Sequence, residues 1–302
     1  MNNQVQSIEL SIIIANWNQS QLLKNCLDSL EETHPSLAYE IIVVDNYSRD
    51  DSVEMLNEKY PAVRLIENKE NLGFARANNQ AIKIARGSYF LLLNNDTLFR
   101  EKEVLSTMLD FMKNNANVGV VGCRLIYPDG SLQSEGERFP SVWRIFKSQI
   151  LFEKSWRRVK IRHRKVPLVK TVDYVCGACL MTKREVFDKV GLLQEDYFIY
   201  GEDVEFCYRV QGAGYMIKVL TEKTVIHLHS KSTEKDLSHV LYHSIQNDLK
   251  NIKLLYRNNL KVTVGKSLYL MGILLRMGLA CFRKNKKSGD YLKLFFSVIK
   301  GK

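Results

Sequence analysis

The sequence predicts an α/β fold: a mostly parallel central sheet flanked by helices, followed by a helical C-terminal extension. Three observations predict it. Short β-branched apolar runs alternate with helical stretches through the first half of the chain, the pattern of βαβ units. Polar residues, Asn16, Asp45 and the triplet Asn94 to Asp96, stand at the ends of three such runs, the edge where parallel sheets bind ligands. From Asp236 onward the alternation gives way to helical sequence.

Taken in order, Ser11 to Ala15 reads as a buried parallel strand. Gln21 to Glu32 carries Leu22, Leu23, Cys26, Leu27 and Leu30 at helical spacing. Ile41 to Val44 is the second strand, Ser52 to Tyr60 the next helix and Val63 to Ile66 the third strand. Phe74 to Arg86 is helical, with Gly87 expected as its C-cap. Tyr89 to Leu93 is the fourth strand, Val104 to Asn114 a helix and Val118 to Val121 a strand. Helices joining parallel strands cover both faces of the sheet. Between about 125 and 170 the rhythm lapses into a long excursion marked by Gly130, Pro140 and a basic run. It returns with Val172 to Met181, the helix Arg184 to Val190, and a helix Val204 to Gln211 that Asp203 enters and Gly212 and Gly214 close. Tyr215 to Leu220 and Thr224 to Leu228 are expected as two final strands.

The composition suits a large domain with a buried core: 302 residues, 45% apolar and 25% charged. Met1 to Glu9 is short and polar without an apolar h-region, so a cytoplasmic location is expected. Six cysteines show no disulfide framework, and Cys176-Gly177-Ala178-Cys179 reads as small buried strand residues, since no second pair completes a zinc site. The net charge is +11. Lys154, Arg157, Arg158, Lys160, Arg162, Arg164 and Lys165 form one basic run, and Arg283, Lys284, Lys286 and Lys287 a second cluster. No nucleic-acid module accompanies them, so nucleic acid is not the expected partner; an anionic membrane surface or an anionic acceptor is. In the tail, Leu268 to Phe282 is apolar but interrupted by Arg276, short of the roughly 20 residues of a spanning helix. A helix at the membrane interface and one packed on the catalytic domain or a partner subunit both fit, so an oligomer stays open.

Certain residue types fall where chemistry needs them. Asp96 directly follows an apolar strand, so its carboxylate stands at the ligand edge, suited to a hard cation, with Asn94 and Asn95 as neutral hydrogen-bonding neighbours. An Asx turn is the alternative use of that position. Glu202 and Asp203 are adjacent carboxylates at a helix start. Such a pair raises one member's pKa, as suits a base, or else caps the helix. His227 and His229 alternate on one strand, so both rings face the same side and could complete a metal shell.

Ordered segments then define a pattern: Ser11-Ile-Ile-Ile-Ala-Asn-Trp-Asn18, Ile41-Ile-Val-Val-Asp-Asn-Tyr-Ser48, Asn71-Leu-Gly-Phe-Ala-Arg-Ala-Asn-Asn79, Leu91-Leu-Leu-Asn-Asn-Asp-Thr97, Gly177-Ala178, Gly201-Glu-Asp-Val-Glu205, and His227 with Ser232. Over about residues 10 to 235 the chain resembles the family 2 inverting glycosyltransferases of GT-A fold, especially their bacterial rhamnosyltransferase-like branch. The resemblance implies a catalytic domain over 1–235, with a donor half to about 122 and an acceptor half from about 123, and an extension over 236–302. It implies a nucleotide-sugar donor, dTDP-L-rhamnose first, then UDP-linked hexose, hexosamine or galactofuranose. The implied acceptor is a cell-surface saccharide, free or lipid-linked. By position, Asp45 matches the residue that binds the donor's base, and Asn71, Gly73 and Arg76 match ribose and diphosphate contacts. Asn16, Asn79, Asn94 and Asn95 join them on the donor side. Asp96 matches the last acid of an Asp-x-Asp metal motif for Mg²⁺ or Mn²⁺, and His227 is similar to a family histidine that approaches the metal or the diphosphate, His229 being the second choice of metal ligand by its place on the same strand face. Asp203 matches the general base, with Glu202 beside it. Asn94 replaces the first acid of that motif, and Tyr47 stands where small residues are usual. The glycine-rich loop of sugar nucleotidyltransferases and the G-x-G-x-x-G of dinucleotide oxidoreductases are both missing after the first strand.

Overall fold

The β-branched runs form strands β1 (Leu10–Asn16), β2 (Tyr39–Asp45), β3 (Arg64–Glu67) and β4 (Tyr89–Asn94). Between them lie helices α1 (Ser20–Thr33), α2 (Ser52–Lys59) and α3 (Phe74–Ile84). The structure, a computed structural model, describes residues 8–34, 37–151, 166–228, 237–282 and 288–300. The basic run 154–165, His229, Ser232 and the basic cluster 283–287 lie outside them.

After β4 the chain makes β5 (Thr97–Leu98), α4 (Val104–Asn114), β6 (Val118–Ile126), β7 (Leu132–Ser134) and α5 (Val142–Gln149). Next come β8 (Val169–Thr171), β9 (Cys179–Lys183), α6 (Arg184–Val190), α7 (Glu202–Gly212) and β10 (Met216–His227). The sheet order is β3-β2-β1-β4-β9-β6-β10-β5, with β7 on β6 and β8 on β10. β1 to β4, β6 and β10 run one way; β9 is wedged antiparallel between β4 and β6.

Alternation along the strands divides the core. Leu10, Ile12, Ile14, Val43, Leu91 and Leu93 pack with Leu23 and Leu27 of α1, Leu56 of α2 and Leu105 and Met108 of α4. Ile13, Ile42, Val44, Phe90 and Leu92 are equally buried on the opposite face. There Phe90 meets Phe187 of α6 edge-on at 5.4 Å, and Phe187 lies 5.1 Å from Phe206 of α7. Both faces are therefore apolar, which explains why these strands read as continuous apolar runs.

Two local expectations change. Helix α3 ends at Ile84, where Ala85 N–H still donates to Ala81, so Gly87 is not its cap. Gly87 instead sits against β1: its N–H donates to Ser11 Oγ (2.9 Å), and a Cβ there would lie 2.8 Å from Ser11 N. The two final strands are one, β10, because a register shift against β6 between Leu220 and Thr224 takes up the intervening residues.

The chain divides into two compact units. The first comprises Met1–Arg138, Lys160–Phe198 and Glu202–His229; the second Phe139–Val159, Ile199–Gly201 and Ser230–Lys302. The second unit thus differs from the sequence boundary at 235. Ile145 of α5 belongs to its core with Ile245, Leu249 and Ile252 of α8 (Leu237–Tyr256), Tyr269 and Ile273 of α9 (Asn259–Phe282), and Leu294 and Val298 of α10 (Ser288–Lys300). Asn247 donates to the carbonyls of Ile199 (2.9 Å) and Tyr200 (2.7 Å), and Asn251 to that of Gly201 (3.1 Å). Helix α9 is longer than the apolar stretch alone, and by length and composition it is sufficient to cross a membrane. Its Arg276, however, donates to Gln149 Oε1 (2.8 Å) and the Ser148 carbonyl (3.2 Å), which ties α9 to α5.

Candidate active site

The site is built where strands end. In register, Asn16 of β1 stands opposite Asp45 of β2, and Ala15 opposite Asn94 of β4. Asn95 Nδ2 donates to Asn16 Oδ1 (2.7 Å), and Asn16 Nδ2 to Asp45 Oδ1 (3.0 Å). Ser48 completes the chain, its Oγ donating to Asp45 Oδ1 (2.6 Å) and its N–H to Asp45 Oδ2 (2.8 Å). Asp45 is thereby buried and fixed as an Asx turn. Beyond it the exposed ring of Tyr47 sits at φ 66°, a left-handed conformation that small residues adopt more easily.

Asn46 carries this edge to the next loop by donating to the Gly73 carbonyl (3.2 Å). Gly73 precedes α3 at φ 81°, and its N–H donates to Asn71 Oδ1 (3.0 Å). A Cβ on Gly73 would stand 2.4 Å from the Phe198 carbonyl oxygen, the same oxygen that accepts Phe74 N–H (2.9 Å). Asn71 and Arg76 line an open cleft of about 290 Å³ with Glu195, Asp196 and Phe198. Arg76 Nε lies 3.7 Å from Glu195 Oε2. Asn79, expected on the donor side, differs: it is buried, with Nδ2 donating to the Leu193 carbonyl (2.9 Å) and Glu195 Oε1 (3.1 Å) and Oδ1 accepting Leu193 N–H (3.1 Å). Its amide holds the loop that walls the cleft.

Asp96 follows β4 and is buried. Its Oδ1 lies 3.1 Å from His227 Nε2, at the end of β10, and Asn94 Nδ2 lies 3.2 Å from the same nitrogen. His227 Nδ1 donates to Gln133 Oε1 on β7 (2.8 Å). An amide oxygen can only accept, so Nδ1 carries a proton, and Nε2 faces Asp96 Oδ1 and the Asn94 amide. A carboxylate oxygen and an imidazole nitrogen at this separation could share a divalent cation. Among the described residues no cluster of three or more His, Cys, Asp or Glu forms a metal site. The remaining positions of such a shell would come from substrate oxygens and water, as suits Mg²⁺ or Mn²⁺.

Asp203 lies in the first turn of α7. Its Oδ2 accepts Gly177 N–H (3.1 Å) and its Oδ1 accepts Val204 N–H (2.8 Å). Glu202 is buried, and its Oε2 has no hydrogen-bond partner among the described residues. Burial, and then the charge of Asp203, push the Glu202 carboxyl up to about 8. Burial thus favours a neutral Glu202 beside Asp203 at the helix N-terminus. The segment Gly177-Ala178 joins the two aspartates' surroundings: Ala178 O accepts Asn94 N–H (3.1 Å) while Gly177 N–H serves Asp203. The neighbouring cysteines are structural. Cys179 Sγ contacts Cys123 Sγ at 3.6 Å inside the core, and burial pushes the Cys176 thiol up to about 12.

Sequence reasoning missed Gln133, Ser48 and Asn46. Ser48 and Asn46 stand in the segment Ile41 to Ser48 without a role of their own; nothing local to Gln133 marks it. Trp17 and Tyr47 are exposed rings following β1 and β2, where a flat ligand group would find a surface.

Comparison with known proteins identifies the family and the fold. Residues 11–191 match the model of the family described as "Glycosyl transferase family 2". The chain is similar, at 27% identity over 254 residues, to N-acetylglucosaminyl-diphospho-decaprenol L-rhamnosyltransferase of Mycobacterium tuberculosis, with 78% of this chain and 81% of that protein covered. Among solved structures it is similar to the mannosyltransferase PcManGT from Pyrobaculum calidifontis in complex with GDP-Man and Mn²⁺ (TM-score 0.61, 17% identity, 96% of this chain and 85% of that one). It is also similar to S. aureus TarS 1-349 (TM-score 0.54, 15% identity, 96% and 81% covered). At those identities the likeness is one of fold, the GT-A fold.

Proposed function

The chain belongs to glycosyl transferase family 2, and from that premise we propose that it moves a sugar from a nucleotide-diphosphate donor to a saccharide hydroxyl with inversion, Asp203 acting as base. The observation that carries this reading is the pairing of a buried Glu202, whose Oε2 has no hydrogen-bond partner among the described residues, with an Asp203 held by two backbone N–H groups. Asp203 takes the proton of the acceptor hydroxyl as its oxygen attacks the anomeric carbon; the bond from that carbon to the diphosphate oxygen breaks on the opposite face. The nucleoside diphosphate leaves with the electron pair, and one displacement inverts the centre.

Asp96 and His227 would hold a divalent cation, Mg²⁺ or Mn²⁺, which neutralises charge on the leaving diphosphate. The Mn²⁺ in PcManGT supports a divalent cation as the cofactor. Asn71 and Arg76 are assigned to the diphosphate side, and Asn16, Asp45, Asn94 and Asn95 to the donor edge. Asp45 reads the base through the rigid turn that Ser48 secures. The donor we favour is dTDP-L-rhamnose, supported by the rhamnosyltransferase relative; UDP-linked hexose, hexosamine and galactofuranose are the alternatives. That relative's name, with its diphospho-decaprenol acceptor, supports a lipid-linked saccharide as acceptor here.

A panel of nucleotide sugars tests the reading. The protein with Mn²⁺ is incubated with each donor, and thermal stabilisation and release of nucleoside diphosphate are followed. One donor should stabilise the protein and be consumed when a saccharide acceptor is added. Stabilisation without consumption for every donor and acceptor pair would favour a non-catalytic carbohydrate-binding protein.

A further inference from the structure

The chain's charge is not shared between its parts. Residues 237–302 carry 13 Lys and Arg against 2 Asp and Glu, which is the whole of the net +11; residues 1–236 hold 31 of each sign. The described residues of that stretch form α8, α9 and α10 of the second unit. These helices bury one apolar set in their own core and leave another outside. On α9, Leu260, Val264, Met271, Leu275 and Leu279 are exposed, Leu260 by 70%. At helical spacing they form a single stripe along the helix. On α10, Leu292, Phe296 and Ile299 repeat the pattern, and on α5 of the same unit Trp143 is 60% exposed with Lys147 Nζ 5.4 Å from its ring centroid.

We propose that the second unit is an interfacial membrane anchor. Its exposed apolar stripes enter the boundary between headgroups and acyl chains of an anionic bilayer, and the Lys and Arg of 237–302 hold the anionic headgroups. Charge decides among occupants. A second copy would bring +11 against +11, a repulsive pairing. A spanning α9 would strip Arg276 from its oxygen partners Gln149 and Ser148 and carry it into hydrocarbon. An anionic lipid surface satisfies the apolar stripe and the cations together, and Trp is a residue of choice at that depth. The proposal deepens the reading of a lipid-linked acceptor and rests on that reading for its purpose.

The test is flotation of the full chain with vesicles of phosphatidylcholine, with and without phosphatidylglycerol, in the absence of donor and acceptor. Binding is expected only to vesicles containing phosphatidylglycerol, and raising salt from about 0.1 M to about 1 M, which shortens the Debye length from about 10 Å to about 3 Å, should release the protein. Leu275→Glu with Phe296→Glu changes only exposed positions and should lower the bound fraction at least tenfold, with circular dichroism and nucleotide binding unchanged. Equal binding to both vesicle types, no binding to either, or retention after alkaline carbonate extraction would overturn the proposal. So would a concentration-dependent oligomer that the same two substitutions dissolve. Because nucleotide binding is measured separately, loss of vesicle binding leaves the transfer reading standing, and loss of transfer leaves the anchor standing.

Discussion

Gly73→Ala offers a quantitative check on the donor loop. Gly73 lies at φ 81° and ψ 178°, a region essentially confined to glycine, which costs other residues about 1–3 kcal/mol. The added methyl would meet Phe198 O at 2.4 Å and Phe198 Cδ2 at 2.8 Å. The ring can turn aside, but the carbonyl is backbone and already accepts Phe74 N–H. Forcing it back adds an overpacking cost of about 1–3 kcal/mol. Together the substitution should cost about 2–6 kcal/mol, a large share of the 5–15 kcal/mol typical of a folded domain. Urea unfolding reads this as a lowered midpoint at unchanged slope. Titration calorimetry with a nucleoside diphosphate should show weakened binding too, because Gly73 N–H orders Asn71 and Gly73 O anchors Asn46. A wild-type midpoint together with wild-type affinity would refute both the close approach and the loop's role.

Further outcomes follow from other contacts. Gln133→Leu removes the acceptor that fixes the His227 proton; Mn²⁺ affinity, measured by the electron paramagnetic resonance of free ion, should fall about 10–100-fold although Asp96 and His227 remain. Glu202 should make stability fall with pH. Its folded value of about 8 exceeds the ordinary 4.5, so across that window the folded chain holds a proton that the unfolded chain has released. His34, lowered to about 4 by burial, acts in the opposite sense up to its ordinary 6.5. The decline is therefore cleanest between 6.5 and about 8, at up to about 1.4 kcal/mol per pH unit. Glu202→Gln should abolish it, and urea midpoints at the two ends of the window decide.

Much of the parallel half was legible because strands buried on both faces write themselves as apolar runs, and Leu23, Leu27 and Leu30 of α1 repeat at helical spacing. The strand ends were legible for the same reason: Asn16, Asp45 and Asp96 interrupt such runs. What escaped depends on distance along the chain. Glu202 loses its solvent through the packing around it, which no adjacent residue announces. Gln133 lies on a strand of three residues whose only signal is its antiparallel pairing with β6. Ile145 joins the second unit because its apolar partners lie about a hundred residues on, in α8. Gly87 resembles a helix cap until Ser11 is seen against it. Thr221, Glu222 and Lys223 look like a turn and are a register shift inside β10.

The central claim is that Asp203 accepts the acceptor's proton. Asp203→Asn keeps an amide oxygen for Gly177 N–H but gives up the acceptor for Val204 N–H, so the measurement is the transfer rate of this variant with donor and Mn²⁺ saturating, beside its circular dichroism and its affinity for the nucleoside diphosphate. The account predicts a loss of about 10²–10⁴ in rate, the scale of a lost general base, with nucleotide affinity unchanged. Transfer at the wild-type rate by a folded, nucleotide-binding Asp203→Asn protein would contradict it.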